Sequence, residues 1–457
     1  MSQSTGEKLY QQLKRHTLYC EEMRDNGFAW DFERAWGLES EWTEKRDTAA
    51  RQLIGLVHQL KDGSGRGWIE SFGDAFHPGS LKDLGFLFFH WAGGFRLAPC
   101  RWTDEGKPST DEHAVVNYLR MSDKPLVKAF CLKLLDYREA VKFLGTYIVG
   151  LKPQPNLRHK ILYPKKNNYV YPLREDEENL LVHGHWKAHG AVSGRYSCTE
   201  TPLQTTPAGL RYLYRAEPGM YLCETDYSQL EIRTIAIQAD AKLMRSIYDR
   251  EGDVYLDTAR VMFNVPNLVR KTEQGEKLRQ TTKQIALSSH YLGSAETAYK
   301  IMVKMAEIRA LYPHLTVKQV KRLQIAYFKA HPEIPRWWKR VIAEAERYGA
   351  YIEEQSGRRV EFYGPADGSF ATNFKNQSLA AHIMNDAFEK IVLKFRQRKR
   401  GEHAKTQVHD AVCSQGPDGN RLKLVHERYM VRDLTVEGRT IRLPVESKIG
   451  VNYSEVK

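Results

Sequence analysis

The chain has 457 residues, 42% hydrophobic and 27% charged, with 69 Lys and Arg against 56 Asp and Glu for a formal net charge of +13. That length exceeds a single core of roughly 250 to 300 residues and predicts about three units, and the cation excess favours polyanionic partners through steering and counterion release. No run approaches about 18 apolar residues, the polar start MSQSTGEKLYQQLKRH has no signal-peptide core, and six scattered cysteines form no CxxC pair, which argues against a membrane span, a zinc ribbon and a disulfide framework and fits a reducing compartment.

Residues 5–62 carry helical periodicity, with Asp25, Asn26 and Gly27 as a turn between two helices. A Gly and Ser rich break follows at 62–67, then a short helix that Ser80 can cap. The apolar patch Gly85–Phe95 is too short to span a bilayer and reads as buried core. A loop around Asp104–Pro108 leads to a helix start at Ser109–Glu112, and Lys128–Gly150 reads as one long helix. Leu135, Arg138, Lys142 and Thr146 lie on its successive turns, so its two cations form either a solvated face or a grip on successive duplex phosphates. The Pro, Asn and Lys content of Pro153–Tyr171 marks a boundary.

Leu181–Pro207 is strand and loop, and its Ser193-Gly194-Arg195 turn can present a guanidinium to phosphates or base edges. His183, His185 and His189 lack the acidic partner or cysteine spacing of a zinc site. In Tyr221–Ile237, strand alternation reaches Asp226 and gives way to helical spacing at Leu230, Arg233, Thr234 and Ile237. An acid at that junction either caps the helix or faces a cleft where a metal with oxygen ligands can bind.

Asp240–Phe263 is helical, and within Lys271–Ile301 the residues Arg279, Lys283, Leu287 and Tyr291 are spaced four apart, forming a slowly drifting row. Cations early and an aromatic late can hold a triphosphate at one end and stack on a base at the other, or form a mixed surface face. Gly293 can let the chain turn just beyond. Residues 316–349 are helical with a break at His331–Pro335, and Gly357, Arg358 and Arg359 make a basic turn. Asn373–Lys394 is a helix with Asn373 and Gln377 one turn apart, amides that either reach minor-groove acceptors or lie at the surface. In Lys405–Ser414, alternation brings Thr406, Val408, Asp410 and Val412 to one face with His409 and Asp410 near a strand turn. That pair gains meaning only if Asp410 meets Asp226.

In this order the segments resemble the polymerase domain of family A DNA polymerases, the DNA polymerase I type. DYSQLEIR (Asp226–Arg233) is similar to motif A and VHD (Val408–Asp410) to the start of motif C, while SGRYS with LQTTP, LLDYREAVKFLGTY, FHPGSLKDL, GKPSTDE and IGVNY agree with other family segments. The resemblance implies an α+β right-hand fold with an antiparallel palm sheet and helical fingers and thumb. Its implied bounds are a helical segment 1–50 leading into the thumb, thumb 51–155, palm 156–240 and 356–457, and fingers 241–355. The implied activity is DNA-templated addition of deoxynucleotides to a primer 3′ end. Primer-template DNA and dNTPs are the partners, the chain is a monomer away from membranes, and the compartment is cytoplasmic or another reducing, DNA-containing one. A helicase or processivity partner stays open. No upstream segment with proofreading carboxylates precedes the thumb, so no 3′-5′ exonuclease is expected.

By the same resemblance Asp226 and Asp410 bind two Mg2+ ions, which Mn2+ can replace, with the Tyr227 carbonyl as a further ligand. Glu231 sits under the incoming sugar and excludes a 2′-hydroxyl, and Gln229 and Tyr227 join the nucleotide contacts. Arg279 and Lys283 hold the triphosphate, Lys283 is the acid for departing pyrophosphate, and Leu287 and Tyr291 complete that helix face. His409 touches the primer terminus, Arg195, Asn373 and Gln377 read the minor groove, and Arg138 and Lys142 hold duplex phosphates. Four departures stand out: Ala411 replaces the glutamate that follows motif C, Leu287 an aromatic, Ser288 and Leu292 two glycines, and Ser369 an arginine. They motivate one alternative, a weakened polymerase-fold protein that binds primer-template without turnover. Another is a two-metal phosphohydrolase built on His409, Asp410 and the histidines at 183 to 189.

Overall fold

The computed structural model describes residues 5–60, 76–91, 94–148, 170–172, 180–199, 201–304, 308, 312, 315–353, 355–398 and 400–457. The Gly and Ser rich break at 62–67 and all but the last two residues of Pro153–Tyr171 lie outside them. The chain divides into two compact units, Asp31–Tyr171 and Met1–Trp30 with Pro172–Lys457.

The unit Asp31–Tyr171 is helical, with helices Phe32–His58, Leu81–Phe89, Glu112–Met121 and Pro125–Lys142. Their apolar faces meet in a core of Leu53, Leu87, Phe88, Phe95, Val115 and Phe130. Phe88, Phe95 and Phe130 pack edge to face with centroids 5.2–5.8 Å apart, the arrangement ring quadrupoles favour. Ser80 and Asp111 cap their helices by accepting from the Asp83 and Ala114 amides at 3.2 and 2.7 Å. The helix expected over Lys128–Gly150 starts earlier, at Pro125, where the missing N–H costs nothing. It stays α-helical to Lys142 and continues as a π-helix over Phe143–Ile148, where Phe143 stacks on Trp42 at 4.1 Å. Six residues are too few for sequence periodicity to separate the two kinds of turn.

The other unit is built on an antiparallel sheet of β1 (Tyr221–Tyr227), β2 (His403–Val408), β3 (Ala411–Gly416) and β4 (Val445–Gly450), in the order β2-β3-β1-β4. Helix α1 (Leu230–Gln238) follows β1 directly. Further along come α2 (Glu273–Ser289), α3 (Gly368–Arg398) and α4 (Gly419–Met430). On one face of the sheet α4 packs through the buried His426, whose ring nitrogens lie 2.9 Å from Thr225 Oγ1 on β1 and 2.9 Å from Ser414 Oγ on β3. Successive residues alternate across a strand, so Asp226 faces the other way. Helices Val254–Met262, α2 and Val317–Ala330 pack as a group. Buried polar contacts tie it together, Thr258 to His331 at 3.1 Å and Gln324 to Ser289 at 3.0 Å.

One short element differs from expectation. Asp25 and Asn26, expected in a turn, instead end the helix Thr5–Asn26, and after Gly27 at φ 41° comes a strand, Phe28–Trp30, which pairs antiparallel with Leu180–Val182 and Tyr214–Arg215. Three wholly buried residues show no alternation, and their partners are remote in sequence, so no local pattern announces them. Among the described residues no helix is long and apolar enough to cross a membrane.

Candidate active site

Asp226 is the penultimate residue of β1. The cap position of α1 belongs to Gln229, in the left-handed conformation with φ 61° and no side-chain cap bond, so Asp226 is not a helix cap. His409 and Asp410 form the two-residue turn between β2 and β3, with His409 exposed and at φ 55°, a strained value for a residue with a Cβ. Because β3 pairs with β1 so that Ala411 lies opposite Asp226, the turn sets Asp410 beside Asp226, and the Tyr227 amide donates to the Asp410 carbonyl at 3.1 Å.

Both carboxyls resist ionisation. Burial, then the charge of Asp410, pushes Asp226 up to about 7. Burial also raises Asp410, with the charge of Glu231 adding to it. Asp226 Oδ1 is buried with no hydrogen-bond partner, and neither acid has an ion-pair partner among the described residues. An orphaned carboxylate oxygen beside a second acid is the donor set a hard divalent cation requires, so the residues fit the group. Among the described residues no three His, Cys, Asp or Glu side chains gather into a cage.

Glu231, on the first turn of α1, is held from two sides. Arg195 donates to its Oε1, and the Tyr291 hydroxyl donates to its Oε2 at 2.5 Å. Asn376 on α3 donates to the Tyr291 hydroxyl at 2.9 Å and to the Glu231 carbonyl at 3.2 Å, and accepts from Gln238 at 3.0 Å. Gln229 accepts from the Tyr248 hydroxyl at 2.9 Å. Tyr227 is buried, with its hydroxyl on the Met430 carbonyl at 2.8 Å, which leaves only its backbone for the site.

Of the row on α2, Lys283 is half-buried and Leu287 is 45% exposed. Arg279 is engaged elsewhere: its Nε donates to Asp253 at 2.6 Å. Tyr291 lies past the end of α2 at Ser289. The residue with left-handed φ at that exit is Leu292, at 59°, not Gly293. Gly293 is required for another reason, since a Cβ there would stand 2.0 Å from the Ser288 carbonyl oxygen. Ser369 donates to the Tyr291 carbonyl at 2.9 Å.

Asn373 and Gln377 are half-buried on α3, and Asn373 Oδ1 has no partner. Asn376 between them makes the observed bonds. Its signal in the sequence was a polar residue on the apolar stripe continued by Ala380, Ile383 and Ala387. Asp253 had a weaker one, as an acid just before a helix. In the unit 31–171, Arg138 donates to the Thr110 carbonyl at 2.7 Å, while Lys142 one turn on is exposed. The histidines do not converge: His183 contacts the Arg24 carbonyl at 2.6 Å, whereas His189 lies between Arg358 and His16.

The profile of DNA polymerase family A matches residues 64–455. The thermostable DNA polymerase I of Thermus filiformis is 26% identical over 396 residues, covering 83% of this chain and 41% of its own. DNA polymerase I of Rhizobium leguminosarum is 25% identical over 433 residues, covering 89% of this chain and 38% of its own. The chain thus spans about two fifths of the length of these curated relatives. The POL domain of Pol1 from M. smegmatis, solved in complex with DNA primer-template and dNTP, superposes with a TM-score of 0.72 at 19% identity, over 98% of this chain and 70% of that one. The fold is accordingly the α+β right-hand polymerase fold. With the profile covering most of its length, the chain belongs to DNA polymerase family A.

Proposed function

We propose that the chain is a DNA-templated DNA polymerase that lengthens a primer 3′ end with deoxynucleotides, and that Asp226, Asp410 and the Tyr227 carbonyl hold two divalent cations. The observation that carries this reading is the pairing of β3 with β1, which sets two half-buried, ionisation-resistant acids side by side. Asp226, Asp410 and the Tyr227 carbonyl would hold two Mg2+ ions, which when bound would supply acidification of the primer 3′-hydroxyl and charge neutralisation at the leaving pyrophosphate. Glu231, clamped between Arg195 and Tyr291, presents a fixed wall beneath the sugar and excludes a 2′-hydroxyl. Arg279 and Lys283 neutralise the triphosphate, and Lys283 gives its proton to pyrophosphate. His409 touches the primer terminus, Arg195, Asn373 and Gln377 read the minor groove, and Arg138 and Lys142 grip duplex phosphates. In this reading the thumb is 51–155, the fingers 241–355 and the palm 156–240 with 356–457; all four strands of the central sheet fall in the palm segments.

Asp226→Ala and Asp410→Ala are each expected to lower primer extension by about 10³-fold or more, roughly 4 kcal/mol of barrier, with duplex binding nearly unchanged. Normal extension by either variant removes the two-metal assignment. Ala411, buried opposite Asp226, favours a second reading in which the chain binds primer-template without turnover. Single-turnover incorporation with Mg2+ and then Mn2+ separates the two, since the second reading requires no product with either ion.

A further inference from the structure

The sheet places three residues in one row across the face turned away from α4: Ala411 on β3, Asp226 on β1 and Glu446 on β4, each directly opposite the next. Residues directly opposite on antiparallel strands share a face with Cβ atoms about 4.5–5.5 Å apart. Ala411 and Glu446 therefore flank Asp226 symmetrically, one without a carboxylate and one with. Glu446 is exposed on the edge strand β4.

An exposed acid on an edge strand often serves only to keep the edge from pairing with another chain. The neighbouring row on the same face argues against that here. Two residues along, Lys448 stands opposite Glu224, and that acid is paired with a cation, its Oε1 lying 2.7 Å from Lys457 Nζ. At the end where β1 meets the Asp410 turn the register sets Glu446 opposite Asp226, a like-charge pair that costs stability in the absence of a cation. Such a local conflict is expected where a site needs it.

We propose that Glu446 is a positioning residue of the metal site, an outer carboxylate that orients a water ligand of an ion held by Asp226, from the side opposite the missing glutamate at position 411. This rests on the reading of Asp226 and Asp410 as metal ligands. Glu446 acts through water because no three acids here form a direct cage among the described residues. Its carboxylate accepts the hydrogen bond of that water and leaves the ion on Asp226 and Asp410.

The test is Mn2+ binding to the full chain with primer-template, read by electron paramagnetic resonance, alongside the Mg2+ dependence of single-turnover extension. Glu446→Gln is expected to weaken Mn2+ binding and raise half-saturating Mg2+ by about tenfold, with duplex affinity and Tm near wild type. Adding Ala411→Glu to Glu446→Gln is expected to restore most of both. If Glu446→Gln leaves both metal readouts unchanged while Asp226→Asn abolishes Mn2+ binding, this proposal is wrong and the metal site stands. If Asp226→Asn binds Mn2+ as wild type does, the underlying reading fails as well. A lowered Tm with unaltered metal readouts makes Glu446 structural only and also overturns the proposal.

Discussion

Asp253 has two tasks, and they can be separated. Its Oδ1 caps the helix Val254–Met262 by accepting from the Tyr255 and Leu256 amides at 3.1 and 3.2 Å, while its Oδ2 accepts from Arg279 at 2.6 Å. In the proposed function an incoming triphosphate has to compete with that second bond, which joins two side chains only 15% and 16% exposed. Asparagine preserves a cap but removes the charge. Asp253→Asn is therefore expected to lower the KM for dNTPs by about 3- to 10-fold, with a small change in Tm; steady-state kinetics on a primed template measures it, and a raised KM contradicts the competition. Arg279 was legible because cations four apart on a helix make a pattern. Its partner was not, because nothing local ties residue 253 to residue 279. The same holds for Asn376, whose place between Glu231, Tyr291 and Gln238 depends on three segments meeting.

Helix α3 is anchored to the N-terminal helix Thr5–Asn26 through Glu389, which binds Arg15 and lies 3.4 Å from His16. Burial alone would raise this carboxyl, but the bonds from His16 and Arg15 outweigh it and hold it down at about 2. A depressed carboxyl stabilises the fold above its unfolded pKa, near 4.5, and that contribution fades as pH falls through about 2. Glu389→Gln is expected to cost on the order of 1–2 kcal/mol at pH 7 and much less near pH 3, by denaturant unfolding at both. An equal cost at both pH values would assign the loss to packing. Long elements such as α3 and the junction of β1 with α1 were readable from the period of their apolar residues. The strand Phe28–Trp30 and the π-helical Phe143–Ile148 were not, being too short to display a period.

Across the whole molecule, the net charge of +13 implies that binding to a polyanion weakens steeply with salt. Lys142 is exposed while Arg138 is tied to the Thr110 carbonyl, so Lys142 is the freer cation of that face. Lys142→Ala is expected to reduce the slope of log affinity against log salt by about 1 and to weaken duplexes of every sequence alike. Fluorescence anisotropy on two unrelated duplexes measures this, and a sequence-dependent loss or an unchanged slope counts against a phosphate contact. The right-hand architecture was legible because the segments occur in one order along the chain. The two-unit division, with Met1–Trp30 joined to Pro172–Lys457, was not, since it depends on which distant segments share a core.

The sheet that carries both acids has a bearing on how the protein matures. Its order, β2-β3-β1-β4, threads the first strand in sequence between two that are made much later. Pairing so remote in sequence closes slowly. A nascent or half-folded chain therefore displays Asp226 with neither neighbouring strand in place. If Asp226 and Asp410 hold cations as proposed, cation uptake doubles as a gauge of refolding, rising only when β3 and β4 have docked on either side of β1.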